Sequence, residues 1–141
     1  MNGYIISLRK DNFENIRDSG YSLVGFTEHC KIAEKLQPGD QLIIYVASGI
    51  SKFVGVLEVS EKYYWDTELL WDDIYPKRVK TAPKIILKDD KWVDVRKIKD
   101  SINFITNKEN PKFGVYFMQG IRKLTEADYE FISAEIKKAN V

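Results

Sequence analysis

Hydrophobic and polar positions show strand-like runs in some segments and helical spacing in others. The longest apolar runs lie in the first half of the chain. Two runs, residues 41–47 and 53–60, have the length and the β-branched content of buried strands. Residues 48–51 separate them, and Gly49 supplies the positive φ that a tight turn requires. The pattern therefore predicts a central β-hairpin, and a shorter buried strand over residues 4–8 precedes it.

Apolar residues at helical spacing, next to capping residues, predict three helices. The first covers residues 11–17, where Asp11 and a glutamate three residues later are spaced as an N-cap and its reciprocal partner. Thr27 is placed to cap a second helix over residues 28–36. The third helix follows Thr125 and has acidic residues in its first turn and lysines near its end.

The remaining segments complete a mixed pattern of strands and helical turns. Residues 21–26 are apolar but contain a glycine, which is typical of irregular backbone or a brief strand. Residues 76–87 are predicted to pair with residues 92–95, and residues 113–117 to form a last strand. One or two helical turns are expected within residues 95–105. The order indicates an α+β fold with a small, curved, mostly antiparallel sheet or barrel and helices packed outside it.

The composition is ordinary for a soluble globular protein, with 30% charged and 44% hydrophobic residues. A chain of 141 residues is expected to form one domain over residues 1–141. One cysteine, Cys30, and one histidine, His29, exclude an internal disulfide and a four-ligand zinc site, and they favour a reducing cytoplasm. The N-terminal apolar run is too short for an export signal or a membrane span, so no membrane partner is expected.

The charge of the chain is small in total but uneven along its length. The formal net charge is +1, yet residues 77–123 carry thirteen Lys and Arg against five acids, and residues 58–73 carry six acids against one lysine. Such a distribution can offer a basic face to a polyanion. The alternative is that the lysines form an ordinary solvated surface.

Residues 63–73 are unusually rich in aromatic side chains. Tyr63, Tyr64, Trp65 and Trp71 lie within nine residues and are mixed with carboxylates. These rings could wall a cavity in which a flat polar ligand is stacked and its edge hydrogen-bonded. Alternatively, the two tryptophans cover the open end of the sheet core while the carboxylates face water.

The chain contains no recognisable catalytic or cofactor motif. It has no glycine-rich phosphate loop and no paired-cysteine or His-Glu-x-x-His metal pattern. Cys30 and His29 are chain neighbours, and neighbours on a helix point about 100° apart, which argues against a nucleophile with its base. We therefore expect no catalytic residue, no metal and no cofactor.

Three functions remain open from the residues themselves. Aromatic rings beside polar groups and a basic segment suit recognition of a base taken out of a DNA or RNA strand. An enzyme acting on a nucleoside-like molecule would instead use Asp66, Glu68 or Asp72 as general acid or base. A domain that binds only a protein partner would show an exposed apolar patch without a basic rim.

Several short segments, taken in their order and spacing, resemble the EVE domain family, a branch of the PUA-like superfamily that is related in fold to YTH domains. The resemblance covers almost the whole chain, although no single segment is diagnostic. It rests on Tyr4-Ile-Ile-Ser-Leu8, Val24-Gly-Phe-Thr-Glu28, Leu36-Gln-Pro-Gly-Asp40, Phe53-Val-Gly-Val, Tyr75-Pro-Lys-Arg-Val79, Phe104-Ile-Thr-Asn-Lys108 and Phe117-Met-Gln-Gly-Ile121.

The resemblance implies a PUA-like sheet with a pocket for a modified base in a nucleic acid, and a binding module rather than an enzyme. Arg78 and Lys108 would face phosphate or the rim of the ligand. Val24 stands where many members have Trp, so one wall is missing or is supplied by Phe26. By position, the pocket would be built from Val24, Gly25, Phe26, Thr27, Lys52, Phe53, Tyr64, Trp65, Tyr75, Pro76, Phe117 and Gln119.

Overall fold

Eight strands and three α-helices make up the computed structural model, which describes residues 1–141. Short 3-10 turns at Ile32–Lys35, Asp89–Lys91, Lys99–Ser101 and Phe113–Phe117 lie between them. The strands are β1 (Gly3–Leu8), β2 (Leu23–Phe26), β3 (Gln41–Val46), β4 (Lys52–Val59), β5 (Tyr64–Trp65), β6 (Lys77–Ile86), β7 (Val93–Asp94) and β8 (Ile121–Lys123). The helices are α1 (Lys10–Asp18), α2 (Val95–Ile98) and α3 (Glu126–Ala139).

The strands form one mixed sheet in the order β2-β6-β4-β3-β1-β8, with β5 paired to β6 and β7 paired to β4. All pairs are antiparallel except β1 and β3, which run parallel with Ile5 opposite Ile43. The predicted β3–β4 hairpin is confirmed, and Gly49 in its turn has a φ of 84°. Residues 21–26 contain a brief strand, β2, at the edge of the sheet.

The sheet curls because β6 is long and irregular. Its first residues pair with β2, and its later residues pair with β4. Lys84 is an extra residue between the two parts of the β4 pairing, next to Pro83, which has no N–H for the ladder. Gly55 of β4 crosses close to β6, since a Cβ there would lie 2.4 Å from the Ile85 carbonyl oxygen. The result is a half-barrel flanked by helices, as expected for a curved, mostly antiparallel sheet.

Both faces of the central strands are buried, so their sequences read as continuous apolar runs. Ile6 and Ile44 point to the concave face, where α1 supplies Phe13 and Ile16. The alternate side chains, with Ile43 as an example, point to the convex face, which is covered by α3 and by the segment from α2 to residue 117. Two hydrophobic clusters of 17 and 14 buried residues therefore support the sheet from opposite sides.

The helix predicted over residues 28–36 is wrong. Only the short 3-10 turn Ile32–Lys35 forms there, and Thr27 caps nothing. Just two side chains of this segment, Ala33 and Leu36, are fully buried, so little apolar packing supports a longer helix.

The strand predicted over residues 113–117 is also wrong, because the segment forms a 3-10 turn. Phe113 and Phe117 stand four residues apart, and both are buried in the convex cluster. A strand would also turn Val115 to that face, whereas a helical turn leaves it outside, and Val115 is 51% exposed. The last strand is instead β8, which pairs antiparallel with β1.

The terminal helices agree with the sequence pattern except at one cap. The Thr125 hydroxyl accepts a hydrogen bond from the Asp128 amide at 3.2 Å, which confirms the N-cap of α3. In α1, by contrast, Arg9 occupies the N-cap position without a side-chain bond, and Asp11 lies inside the helix. The helical turns expected within residues 95–105 are present as α2 and the turn after it.

No helix of the structure is both long and apolar enough to cross a membrane.

Asp128 of α3 forms hydrogen bonds to the segment between α2 and residue 117, which covers the convex face. Its carboxylate is 2% exposed and accepts hydrogen bonds from the amides of Asn103, at 2.8 Å, and Phe104, at 3.2 Å. We expect Asp128→Ala to lower the free energy of unfolding by about 1–3 kcal/mol, because two hydrogen bonds from amides to a buried carboxylate are lost. Urea denaturation measures the change. The control Glu126→Ala removes an exposed acid from the same helical turn, and an equal loss in both variants would contradict this role.

Candidate functional site

A cavity of about 360 Å³ opens on the concave side of the sheet, between the end of β1, the start of α1, β2 and residues 118–121. Apolar side chains of the strands form its floor, and three large rings lie on its walls. Polar groups from four different segments reach the same space. The floor includes Ile6, Leu8 and Val24; the rings are Phe26, Trp71 and Tyr75; the polar residues are Ser7, Asn12, Thr27 and Gln119. We call this space the first cavity.

Two of the rings come from residues 66–76, the loop between β5 and β6, which we call the aromatic loop. Trp71 and Tyr75 lie with their centroids 5.2 Å apart and their planes tilted by 53°. The loop approaches β2 closely at Gly25, where a Cβ would lie 2.6 Å from Leu70 Cδ2 and 2.8 Å from Tyr75 Cβ. A side chain at this position would push the loop away, so glycine allows the aromatic wall to pack directly on the strand.

A chain of hydrogen bonds links this loop to the first helix. The Tyr75 hydroxyl donates to Asp72 Oδ1 at 2.9 Å and accepts from Asn12 Nδ2 at 3.3 Å. Arg9 Nη2 donates to Asp72 Oδ2 at 2.6 Å. Hydrogen bonds from Arg9 and Tyr75 lower the pKa of Asp72, while burial and the bond to Asp72 raise the pKa of Tyr75. At neutral pH the carboxylate is therefore ionised and the phenol keeps its proton.

Arg78 holds the same loop from beneath. Its guanidinium is 6% exposed and donates to the carbonyl oxygens of Ile74, at 2.9 Å, Tyr75, at 3.3 Å, and Glu68. It also forms an ion pair with Asp66 at 3.3 Å. A buried charge is tolerated only when it is well paired, and here the acceptors come from the aromatic loop itself. Arg78 thus faces inward and shapes the loop instead of facing solvent.

Lys77 fixes the segment on the other side of the cavity. Its ammonium group is 8% exposed and donates to the Cys30 carbonyl oxygen at 3.1 Å and to Glu34 Oε2 at 2.9 Å. The hydrogen bond from Lys77 lowers the pKa of Glu34. These contacts hold residues 27–35 against β6, and Thr27 and Cys30 consequently line the first cavity.

A second cavity of about 440 Å³ lies beside the first. Thr27 and Tyr75 line both, so the two spaces share these walls. Trp65 of β5 lines the second cavity and is 54% exposed, an unusual degree for an indole. The other lining residues are Glu28, His29, Thr67, Asp73, Ile74 and Pro76.

Eight of the fourteen residues proposed from the sequence lie at these cavities. Those at the first cavity are Val24, Gly25, Phe26, Thr27, Tyr75 and Gln119. Those at the second are Thr27, Tyr75, Trp65 and Pro76. The six that line neither are Lys52, Phe53, Tyr64, Arg78, Lys108 and Phe117.

The proposed site residues that line neither cavity make other contacts in the fold. Phe53 and Phe117 pack in the convex cluster, where Phe117 stacks on Tyr45 at 3.9 Å between centroids. Lys108 donates to the Ile102 carbonyl oxygen and so points into its own loop rather than outward. Lys52 lies in β4 opposite Asp94 of β7. Tyr64 lies under the ammonium group of Lys80, 5.9 Å from the ring centroid.

Ten residues that line the first cavity were not among the proposed site residues: Ile6, Ser7, Leu8, Arg9, Asn12, Cys30, Trp71, Met118, Gly120 and Ile121. Asn12 carries a signal that could have been used, because it stands four residues before Ile16 and so falls on the apolar side of the predicted helix. A buried amide on that side needs a partner, which turns out to be Tyr75. Trp71 supplies a ring in the cavity that Val24 lines, in addition to Phe26.

The carboxylates considered as acid or base catalysts are engaged with basic groups or face solvent. Asp66 pairs with Arg78, and Asp72 accepts from Arg9 and Tyr75. A lowered pKa makes Asp72 a weak base and a poor proton donor near neutral pH. The side chain of Glu68 is exposed, and none of these three carboxylates lines either cavity.

A family model described as the EVE domain matches residues 7–135. UPF0310 protein PH1033 from Pyrococcus horikoshii is 26% identical over 147 residues, which cover 94% of this chain and 97% of that protein. The resemblance noted in the sequence is thereby confirmed.

Solved structures with the same fold have very different sequences. Human THYN1 protein in complex with 5-methylcytosine containing DNA has a TM-score of 0.65 at 10% identity, covering 96% of this chain and 98% of that chain. The YTH domain of Zygosaccharomyces rouxii MRB1 protein in complex with N6-methyladenosine RNA has a TM-score of 0.64 at 15% identity, covering 96% and 87%. At these identities the similarity establishes the fold alone.

We expect replacement of Arg78 to release the aromatic loop. Arg78→Met leaves three carbonyl oxygens and Asp66 without their donor, so the free energy of unfolding should fall by about 3–5 kcal/mol. Arg78→Lys keeps the charge but not the fork of donors, and we expect an intermediate loss. Urea denaturation gives the free energies, and the Trp71 indole resonance reports the loop. Lys80→Met is the matched control on an exposed residue of β6; a loss as large as that of Arg78→Met would contradict the role of the guanidinium.

The lowered pKa of Asp72 predicts a pH dependence of stability. Its stabilising effect is fully present above the carboxyl pKa of an unfolded chain, about 4. It is lost as the pH falls through the lower pKa of the folded state. We therefore expect Asp72→Asn to reduce Tm at pH 7, and we expect this effect to shrink as the pH falls below the carboxyl pKa of the folded state, where both states bind the proton. Thermal denaturation of this variant and of the control Glu109→Gln tests this; a Tm difference unchanged by acid would refute it.

Proposed function

This chain belongs to the EVE domain family, and from that premise we propose that it is a nucleic-acid-binding module whose first cavity accepts a base taken out of its strand. The observation that carries the proposal is the first cavity itself, which combines three large rings, an apolar floor and polar groups from four segments. Its volume lies in the range of small-molecule sites, roughly 300–1,000 Å³.

The lining favours a flat and uncharged ligand. Rings provide stacking surfaces, and Asn12, Ser7 and Gln119 offer hydrogen-bond donors and acceptors for the edge of a base. Arg9 is the only charged side chain of the lining, and it is already bound to Asp72. A charged ligand would lose its hydration without gaining a free partner of opposite sign.

A methylated base would suit this cavity better than an unmodified one. Ile6, Leu8 and Val24 give the floor an apolar surface on which a methyl group can be buried. Two proteins of the same fold, human THYN1 and the Zygosaccharomyces rouxii YTH domain, were solved with 5-methylcytosine DNA and N6-methyladenosine RNA. These likenesses support a modified base in DNA or RNA as the ligand of the first cavity.

Phosphate contacts would come from side chains other than those first assigned to that role. Arg78 and Lys108 donate to backbone carbonyl groups of their own loops. Arg9 lies at the first cavity and is about half exposed, and Lys10 next to it is exposed. We propose that Lys10, together with the Arg9 donors that do not bind Asp72, meets the strand backbone outside the cavity where the base enters.

We expect Trp71→Ala to weaken binding of short oligonucleotides that contain a modified base by about fivefold to a hundredfold, because one stacking surface is lost. Fluorescence anisotropy measures this with single- and double-stranded DNA and RNA, each with and without 5-methylcytosine or N6-methyladenine, at two salt concentrations. A preference for one modified base that persists at the higher salt identifies recognition in the cavity, since phosphate contacts weaken steeply with salt.

Tyr64→Ala is the matched control, because it removes an aromatic side chain of the same segment that lines neither cavity. Circular dichroism of both variants separates loss of binding from loss of fold. Equal binding by Trp71→Ala and the unsubstituted chain would exclude stacking on Trp71. Binding that disappears at higher salt without any preference among bases would refute the base pocket.

A further inference from the structure

We infer that the second cavity is a subsite for the base next to the one in the first cavity, and that it prefers a base with an exocyclic amino group over thymine or uracil. The inference rests on the proposed function. The inference adds to that function a preference for the identity of the base next to the modified one. Three features of the second cavity carry it: its position, its exposed ring and its charge.

The position fits two successive bases of one strand. Thr27 and Tyr75 line both cavities, so the two spaces adjoin at these residues. A nucleotide that places its base in the first cavity brings its neighbour to the adjoining space. The neighbour then has no duplex partner, and its faces and edge are free for contact with protein.

The exposed ring gives the neighbouring base a surface for stacking. Trp65 is 54% exposed although it belongs to a strand, with Lys77 opposite it in β6. The Asp66 amide donates to the Pro76 carbonyl oxygen at 3.0 Å, which fixes the chain on both sides of the cavity. Ile74 adds a second exposed apolar side chain at 39%. The indole is thus held in place with one part of its surface open to a ligand.

The charge of the lining selects the kind of base. Glu28 and Asp73 contribute carboxylates, and no lysine or arginine lines the second cavity. His29 lies 3.4 Å from Glu28, and one oxygen of Asp73 accepts from the Ile74 amide at 2.7 Å. Ionised carboxylates only accept hydrogen bonds, so they match the amino groups of cytosine, adenine and guanine. They repel phosphate, and thymine or uracil offers them one N–H donor flanked by two carbonyl oxygens, without an amino group.

The first test uses free nucleosides, so it does not require binding of a nucleic-acid strand. Deoxycytidine, deoxyadenosine or thymidine is added separately, up to millimolar concentration, to the full chain labelled with 15N. Each titration is followed by the NMR resonances of the indole N–H groups. The three indole resonances are assigned with Trp→Phe variants. We expect the Trp65 resonance to shift with deoxycytidine and deoxyadenosine and to shift several-fold less with thymidine. Equal shifts with all three nucleosides, or none at Trp65, would overturn the subsite.

The second test varies the base beside the modified one in the oligonucleotide that binds best. Replacing a neighbouring thymine by cytosine should tighten binding by about fivefold to thirtyfold, which corresponds to roughly 1–2 kcal/mol. Asp73→Asn should reduce that ratio, and Trp65→Ala should weaken binding for every neighbour by about fivefold or more. Asp90→Asn, an exposed acid distant from both cavities, is the control.

The outcomes separate this inference from the proposed function. Binding of modified bases that is indifferent to the neighbour and to Trp65→Ala overturns the subsite alone. Absence of binding to every oligonucleotide overturns the proposed function, and the inference with it. A neighbour preference that Asp73→Asn abolishes while Trp71→Ala weakens all binding supports both.

Discussion

The buried guanidinium of Arg78 is the contact on which the candidate site depends. An arginine removed from water must have its donors satisfied, and here the acceptors are three carbonyl groups and one carboxylate of the aromatic loop. The loop therefore folds around the arginine. Tyr75 is held in a left-handed backbone conformation with a φ of 45°, and Trp71 packs against its ring. Without that contact neither cavity would keep its aromatic wall.

The sheet beneath the loop is rigid because apolar side chains cover both of its faces. One hydrophobic cluster fills the concave side together with α1, and the other fills the convex side under α3. The first cavity opens between β2, the end of β1, the start of α1 and residues 118–121. Loops can then carry the binding groups while the scaffold keeps its shape, which is the usual division between core and site.

Much of the fold could be predicted from periodicity, whereas the site could be predicted only in part. Continuous apolar runs located β3 and β4, and the resemblance located Phe26, Thr27 and Tyr75. The pattern could not say which face of the sheet a buried ring would join, so Phe53 and Phe117 were assigned to the pocket although they lie in the convex core. The contact between Asn12 and Tyr75 joins residues 63 positions apart, and no local signal reports such a pairing.

Tyr75 borders both cavities, and this shared wall has a thermodynamic consequence. A ligand that moves its ring from one side changes the shape of the space on the other. The two occupancies are then coupled, and linkage requires the coupling to be reciprocal: each ligand alters the affinity of the other by the same factor. The bonds from Tyr75 to Asn12 and Asp72 set how far the ring can move, and so they set the size of that factor.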